Sequence, residues 1–151
     1  MRVALGGPMA SGKSTVGRAL AARQGVPFLD LDATLGDIPL LFAEVGEAGF
    51  RERESASLAK AVSGSGVIAL GGGTLGREEN RRQLQGWTVI ILMATRETLR
   101  HRLQNPTGRP LARSWERSLD ERAPLWAAYG DPVWTDHPSV ETTVDQVLQR
   151  C

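Results

Sequence analysis

The first residues that could do chemistry form a glycine-rich segment near the start of the chain. Gly7, Gly12, Lys13 and Ser14 follow the spacing of glycine, four residues, glycine, lysine, and serine or threonine. Glycines let the backbone turn tightly and bring its N–H groups close to phosphate oxygens. A helix that begins here directs its positive end toward the same anion. The lysine can reach the β- and γ-phosphates of a nucleotide, and the serine hydroxyl can bind Mg²⁺. The segment therefore predicts a nucleoside triphosphate site.

The whole loop and the first helical residues after it are assigned to the nucleotide. The predicted ATP-binding residues in this part of the chain are Gly7, Ala10, Ser11, Gly12, Lys13, Ser14 and Thr15. An apolar strand beginning at Val3 precedes the loop, and an amphipathic helix ending at Gln24 follows it. That context favours a phosphate-binding loop over a chance match in a glycine-rich turn.

Two acidic residues, Asp30 and Asp32, lie near the end of a second predicted strand, 27–31. They alternate with Leu31, and neighbouring side chains of a strand point to opposite sides. Because α/β sheets bind ligands at the carboxyl ends of their strands, one carboxylate could serve a metal ion and the other an acceptor. The alternative is that either aspartate caps the following helix.

Two arginines, Arg51 and Arg122, are candidates for binding an anionic substrate. A guanidinium forms paired hydrogen bonds to a carboxylate and stays charged. Two of them converging on one pocket would imply an anionic small molecule. Glu54 follows Arg51 by three residues in a predicted helix, so the two side chains can pair. The alternative is a solvated helix face, which we assign to Arg53.

Three consecutive glycines, Gly71, Gly72 and Gly73, follow a predicted buried strand, 67–70. Their missing side chains would let a ligand lie directly against backbone N–H groups. The alternative is an ordinary flexible turn between a strand and a helix.

A further arginine, Arg109, lies in a segment that contains Pro106, Gly108 and Pro110. This composition predicts a loop over 105–113 and suits a mobile lid. Closing such a lid could bring a cation onto the phosphoryl group as it is transferred.

These residues must be positioned by a fold in which short apolar runs alternate with longer amphipathic stretches. That pattern is typical of an α/β protein with a parallel sheet. The predicted strands are 3–5, 27–31, 67–70, 88–93 and 133–135, the fourth of which is the most apolar and is expected to be central. The predicted helices are 12–24, 38–45, 50–62, 77–84, 97–103, 117–129 and 141–149.

Composition places the chain among ordinary globular proteins and limits its partners. The chain has 151 residues, of which 41% are hydrophobic and 23% charged, so we expect a single domain. With 18 basic and 17 acidic residues the formal charge is +1. Such a balance provides no overall field to attract nucleic acid or a membrane. We expect neither as a partner, and we expect a monomer.

One cysteine, Cys151, cannot form an internal disulfide or a thiolate zinc site, which fits a reducing compartment. The apolar run that starts the chain is too short for a signal peptide. A cytoplasmic location is therefore expected.

Five further motifs occur in the order found in the shikimate kinase family, which the sequence resembles over nearly its whole length. They are an Asp-x-Asp element at 30–32, a Gly-Glu-x-x-Phe-Arg-x-x-Glu element at 46–54, a Leu-Gly-Gly-Gly element at 70–73, an Arg-Pro-Leu element at 109–111 and an Arg-x-Pro-Leu element at 122–125. Each is weak alone, and together with the phosphate loop they are highly specific.

The resemblance implies the reaction ATP + shikimate → ADP + 3-phosphoshikimate, a step of the shikimate pathway of aromatic amino acid biosynthesis. It implies a three-layer α/β/α fold of the P-loop NTPase type, with about five parallel strands, a substrate-binding helical segment at about 32–62 and a lid at about 105–117. For the nucleotide and the metal, the resemblance implies that Ser14 and Asp30 bind Mg²⁺, that Lys13 and Arg109 stabilise the transferring group, and that Arg102 packs against adenine. For the acceptor, it implies that Asp32 positions the hydroxyl and removes its proton, and that Arg51 and Arg122 bind the carboxylate. The ring hydroxyls would be bound by Gly71, Gly72 and Gly73.

The chain departs from the family pattern in two stretches. The segments between Asp32 and Arg51, and between Arg109 and Arg122, are shorter than is usual, and the second of them carries the lid. One rival interpretation is another small-molecule kinase of the same fold, such as one acting on gluconate. A second is a nucleotide-binding module without catalysis, which the short lid favours. The joint presence of Asp32, Lys13 and Arg109 argues against the module.

Overall fold

The computed structural model of the chain describes residues 1–104 and 115–151. The described strands are β1 (Arg2–Gly6), β2 (Phe28–Asp30), β3 (Gly66–Ala69), β4 (Thr88–Met93) and β5 (Val133–Trp134). The described helices are α1 (Lys13–Gln24), α2 (Ile38–Val62), α3 (Glu78–Gln83), α4 (Arg96–Leu103), α5 (Trp115–Ala127) and α6 (Val140–Leu148). Two short 3₁₀ turns occupy Asp32–Leu35 and Thr74–Gly76. Among the described helices, none combines the length and the apolar character needed to cross a bilayer.

The five strands form one sheet in the order β2-β3-β1-β4-β5, and every pairing is parallel. This confirms the predicted fold class. The prediction that strand 88–93 is central is wrong, because β1 lies in the middle and β4 lies between β1 and the two-residue edge strand β5. Strand β4 is nevertheless largely covered, and three consecutive residues at its centre are buried. A strand covered on both faces has a continuous apolar sequence wherever it lies in a parallel sheet.

Two apolar cores cover the two faces of the sheet. One contains buried residues of α1, β1 and α6, represented by Leu20, Leu5 and Val144. The other contains residues of α2 and α5, represented by Leu58 and Trp126. The elements that carry the phosphate loop and those that carry the candidate arginines are therefore fixed against opposite faces.

Helix α2 merges two predicted helices, 38–45 and 50–62, into one element with an interruption. Gly46 has φ 70 and ψ −179, which is not helical. The helix begins after Asp37, whose side chain accepts a hydrogen bond from the Leu40 N–H at 3.1 Å. The rings of Phe42 and Phe50, on either side of the interruption, stack with centroids 4.3 Å apart.

The prediction that Asp30 and Asp32 alternate along the end of one strand is wrong. The strand ends at Asp30, and Leu31 has φ −62 and ψ −42, a helical conformation. The carbonyl of Leu31 then accepts from the N–H and the hydroxyl of Thr34, which closes the 3₁₀ turn. Asp32 is consequently the first residue of a turn at the edge of the sheet.

The predicted loop at 105–113 lies outside the described residues, as does most of the predicted lid. Residues 115–117, which that lid was expected to include, belong to the first turn of α5. The other helix boundaries agree with the predictions to within about two residues, the usual uncertainty at frayed helix ends.

Candidate active site

The phosphate loop connects the central strand β1 to helix α1. Gly7 and Gly12 have φ values of 128 and 99, in the region that favours glycine. A Cβ atom on Gly7 would lie 2.0 Å from the carbonyl oxygen of Leu92, so no other residue fits there. Ala10 also has a positive φ, 64, a strained value for a residue with a side chain. Of the three loop residues with positive φ, two are therefore glycines, and Ala10 alone is strained.

Lys13 folds back over this loop. Its Nζ donates hydrogen bonds to the carbonyl oxygens of Gly7 at 2.9 Å and of Pro8 at 2.8 Å. Burial lowers the pKa of the ammonium from its ordinary 10.5 to about 8, while the nearby carboxylates of Asp32 and Asp30 act to raise it. The cation is thus held at the loop by neutral oxygens, and an arriving anion would stabilise it.

Ser14 and Asp30 are in direct contact. The Ser14 hydroxyl donates to Oδ2 of Asp30 across the start of α1 and the end of β2. A hydroxyl and a carboxylate are hard oxygen donors of the kind Mg²⁺ binds alongside phosphate oxygens and water. The pair fits the predicted metal site. No cluster of three acidic, histidine or cysteine side chains suited to a metal occurs within 1–104 and 115–151.

The Asp32 carboxylate lies beside the glycine triplet. A Cβ atom on Gly71 would be 2.8 Å from Oδ1 of Asp32 and 2.9 Å from Oε2 of Glu54. Burial raises the pKa of Asp32; the charges of Asp30 and Glu54 add to the rise, and those of Lys13 and Arg51 oppose it. A carboxylate with a raised pKa is better matched to accepting a proton near neutral pH.

The Arg51 guanidinium lies against Gly73, where a Cβ atom would be only 2.6 Å from Nη2. Its Nη1 donates to Oε1 of the buried Glu54 at 2.9 Å, the i,i+3 pair expected from the sequence. Arg53 is exposed, as its assignment to a solvated face predicted. The absence of a side chain at Gly73 therefore makes room for the arginine itself.

Arg122, on α5, reaches the same region from the other side. A Cβ atom on Gly72 would lie 3.2 Å from Nη1 of Arg122 and 3.9 Å from the backbone nitrogen of Met9 in the phosphate loop. Burial, and next the like charge of Arg51, lowers the pKa of the Arg122 guanidinium. The structure thus brings both candidate arginines, the triplet and the phosphate loop together.

A cleft of about 810 Å³ runs along the phosphate loop. Besides the loop and the start of α1, including Thr15, it is lined by Asp30, Asp32, Gly72, Arg102, Thr135 and His137. An adjoining opening of about 550 Å³ shares Arg102, His137 and Pro138 with it. The cleft passes from the adenine side predicted for Arg102 to the carboxylate of Asp32.

Arg102 is tied to the phosphate loop by hydrogen bonds. Its Nη1 donates to the carbonyl oxygen of Ala10 at 2.9 Å and to the Thr135 hydroxyl at 3.1 Å. The Thr135 hydroxyl in turn donates to the carbonyl oxygen of Ser11 at 2.7 Å. These bonds brace the strained residue of the loop and fix the plane of the guanidinium.

Some residues of this site could not be predicted from the sequence. Thr135 and the buried Thr74 give no local signal, because their contacts lie 124 and 20 residues away along the chain. Arg109 lies outside the described residues, so its contact with the phosphates stays a prediction.

Several known proteins are similar to this chain in sequence or in fold. A sequence model of the family described as shikimate kinase matches residues 9–151. The shikimate kinase of Salinibacter ruber is 42% identical over 99% of this chain and 83% of its own length. The structure of the Acinetobacter baumannii shikimate kinase in complex with shikimate superposes with a TM-score of 0.83 at 32% identity, covering 97% of this chain and 90% of that one. The Aquifex aeolicus enzyme superposes with a TM-score of 0.85 at 29% identity, over 99% of this chain and 95% of that one. On these matches, the chain belongs to the shikimate kinase family.

Proposed function

We propose that this protein transfers the γ-phosphoryl group of ATP to the 3-hydroxyl of shikimate and releases ADP and 3-phosphoshikimate. The observation that carries the proposal is the convergence of Arg51, Arg122 and Asp32 on the glycine triplet beside the phosphate loop. Two half-buried cations and one carboxylate match an acceptor that has one carboxylate and a reacting hydroxyl. We also propose that residues 1–151 form a single domain. Within it, segment 32–62 binds the acceptor and segment 105–117 contains the lid.

The nucleotide is proposed to lie along the cleft with its phosphates on the loop of Gly7, Ala10, Ser11, Gly12 and Lys13. The hydrogen bonds of Arg102 use its N–H edge, which leaves its flat face available for stacking. Pro138 lines the same opening as Arg102, so we place the adenine between them.

Ser14 and Asp30 would hold Mg²⁺, directly or through water. When bound there, the ion would neutralise charge on the phosphate oxygens. The hydrogen bond between these two side chains would then be replaced by contacts to the ion and its water.

The acceptor carboxylate is proposed to lie between Arg51 and Arg122, which leaves the ring against the glycine triplet. This position directs the 3-hydroxyl toward Asp32. The hydroxyl oxygen forms a bond to the γ-phosphorus, the bond from that phosphorus to the bridging oxygen of ADP breaks, and the hydroxyl proton passes to Asp32. Lys13, and by prediction Arg109, stabilise the transferring group. Catalysis rests mainly on positioning and electrostatics.

The experiment is an ADP-release assay with shikimate, gluconate or no acceptor, each with and without Mg²⁺. We expect turnover only when shikimate is the acceptor and Mg²⁺ is present. Turnover with gluconate instead would favour the related sugar-acid kinase, and nucleotide binding without turnover of either acceptor would favour the module without catalysis.

A matched pair of variants tests the binding of the carboxylate. Arg51→Ala removes a charged hydrogen-bond donor from the pocket and should raise the KM for shikimate by about 10- to 100-fold, with the KM for ATP unchanged. Arg53→Ala removes an exposed arginine of the same helix and should leave both values unchanged. An unaltered KM for shikimate in the first variant would exclude Arg51 from the acceptor site.

A further inference from the structure

Behind the glycine triplet lies a chain of buried polar side chains that the reaction itself does not use. Asn80 and Thr74 are completely buried and Glu54 is 1% exposed. They come from three different elements: α3, the 3₁₀ turn that follows the triplet, and α2. Buried polar groups are costly unless they are paired, so the direction of each hydrogen bond here is informative.

The hydrogen bonds link Asn80 to Thr74 and then converge on the carboxylate of Glu54 from two sides. The Asn80 amide nitrogen donates to the carbonyl oxygen of Thr74 at 2.8 Å. The Thr74 hydroxyl donates to Oε2 of Glu54 at 2.9 Å. Oε1 of the same carboxylate accepts from Nη1 of Arg51, also at 2.9 Å. Each oxygen of Glu54 therefore has its own donor.

Because the two oxygens of Glu54 have different donors, only one of them is available to Arg51, and this sets the orientation of the Arg51 guanidinium. If Thr74 gave no donor, both oxygens of Glu54 would be free for a bidentate pair with the guanidinium, which is the geometry arginine prefers with a carboxylate. The guanidinium would then turn toward Glu54 and direct fewer N–H groups into the pocket.

We propose that Thr74 is a positioning residue for acceptor binding: its hydroxyl occupies one oxygen of Glu54 and so keeps the Arg51 guanidinium directed at the substrate carboxylate. Asn80 fixes the turn that presents this hydroxyl. The proposal rests on the proposed function, since it assumes that Arg51 binds the carboxylate of shikimate.

The test uses Thr74→Val, which keeps the shape of the side chain and removes the donor. The KM for shikimate should rise about 5- to 50-fold, with the KM for ATP unchanged and kcat lowered by less than about threefold. Thr74→Ser restores the donor and should return the KM to within about twofold of the original value. Partial unfolding would lower the apparent kcat without changing KM. A raised KM with a nearly unchanged kcat therefore indicates a positioning role and not a loss of stability.

Ser55→Ala is the matched control. Ser55 is a buried neighbour of Glu54 on α2, and it accepts a hydrogen bond from Arg77 at 3.1 Å, away from the pocket. Its loss should leave the KM for shikimate unchanged. If Thr74→Val does not fold, Thr74→Cys, which keeps a weaker donor, should give an intermediate KM.

The outcomes separate this proposal from the proposed function. If the unaltered enzyme turns over shikimate and the Thr74→Val or Thr74→Cys variant has an unchanged KM for shikimate, the positioning role of Thr74 is wrong and the proposed function stands. An unaltered enzyme that does not turn over shikimate overturns both.

Discussion

Opposite charges face each other in the site before any substrate is bound. Lys13, Arg51 and Arg122 provide three cations, and burial of the first and last disfavours their charged forms. Asp32 and Glu54 lie among them, and burial raises the pKa of Asp32 in turn. Because the proposed substrates are anions, their entry should stabilise the charged forms of Lys13 and Arg122 and disfavour that of Asp32.

Lys13 should take up a proton when nucleotide binds at alkaline pH. Its pKa of about 8 makes it largely neutral at about pH 9, and a triphosphate beside it would raise that pKa again. Binding of a non-hydrolysable ATP analogue at about pH 9 should therefore take up close to one proton, and much less at about pH 7. Calorimetry in two buffers of different ionisation enthalpy measures this number.

The controls for that measurement use the two lysines of the chain, Lys13 and Lys60. Lys13→Arg keeps a cation that does not titrate in this range and should abolish the uptake. Lys60→Met, at an exposed position, should leave it unchanged. Equal proton uptake by the Lys13→Arg enzyme would show that another group is responsible.

Gly73→Ala should weaken acceptor binding with little effect on stability. Gly73 has φ −108, which alanine adopts easily, so the backbone is not strained. The new methyl group would instead meet the end of the flexible Arg51 side chain, which can move away at small cost. We expect the KM for shikimate to rise at least about fivefold, and the free energy of unfolding to change by less than about 1 kcal/mol.

Gly76→Ala provides the comparison, because nothing lies within 4 Å of its Cβ position in the same turn. Both its KM and its stability should match those of the unaltered enzyme. If the two alanine variants showed the same KM for shikimate, the close approach of Arg51 to Gly73 would have no role in binding.

At the scale of elements, patterns within a few residues could be predicted, and contacts between elements could not. The strand, phosphate loop and helix at the start of the chain depend on local spacing, and they were predicted to within about a residue. The boundary between β2 and Asp32 was missed, because it depends on Leu31 taking a helical conformation while its side chain is fully buried.

The same distinction explains what could be predicted of the site. Arg51 with Glu54 was expected, since an i,i+3 pair is a property of one helix. Thr74 was not, because its bond to Glu54 exists only once the 3₁₀ turn packs on α2. The order of the strands likewise depends on packing, which is why β4 was wrongly expected in the middle of the sheet.

Gly46→Ala should destabilise the protein through the interruption in α2. A residue with φ 70 and ψ −179 occupies a region that is nearly restricted to glycine, and holding alanine there costs about 1–3 kcal/mol. No atom lies within 4 Å of the Cβ position, so the cost is conformational and not steric. Urea denaturation should show a loss of this size in the free energy of unfolding.

The matched variant is Gly64→Ala, which lies just after the same helix and has no positive φ. It should change the free energy of unfolding by less than about 0.5 kcal/mol. A Gly46→Ala protein as stable as Gly64→Ala would mean that α2 continues without its interruption.

At the scale of the whole molecule, the two cores on opposite faces of one sheet should unfold together. Three of the four tryptophans report on one face: Trp87 and Trp126 are buried in the core beneath α2 and α5, and Trp115 packs against it. Leu20, on α1, is completely buried in the other core. A change at Leu20 that also alters the tryptophan signal would therefore be transmitted through the sheet.

Leu20→Ala should lower the free energy of unfolding by about 2–5 kcal/mol, because it leaves a cavity in a packed core. In urea, the midpoints measured by tryptophan fluorescence and by far-ultraviolet circular dichroism should shift together, as a single cooperative domain requires. Leu58→Ala, in the core that contains the tryptophans, should behave in the same way. If the fluorescence midpoint of Leu20→Ala stayed at its original value while the dichroism midpoint fell, the chain would unfold as two separate units. The phosphate loop and the arginine pocket would then be held by parts that unfold independently, against the expectation that one rigid sheet fixes both.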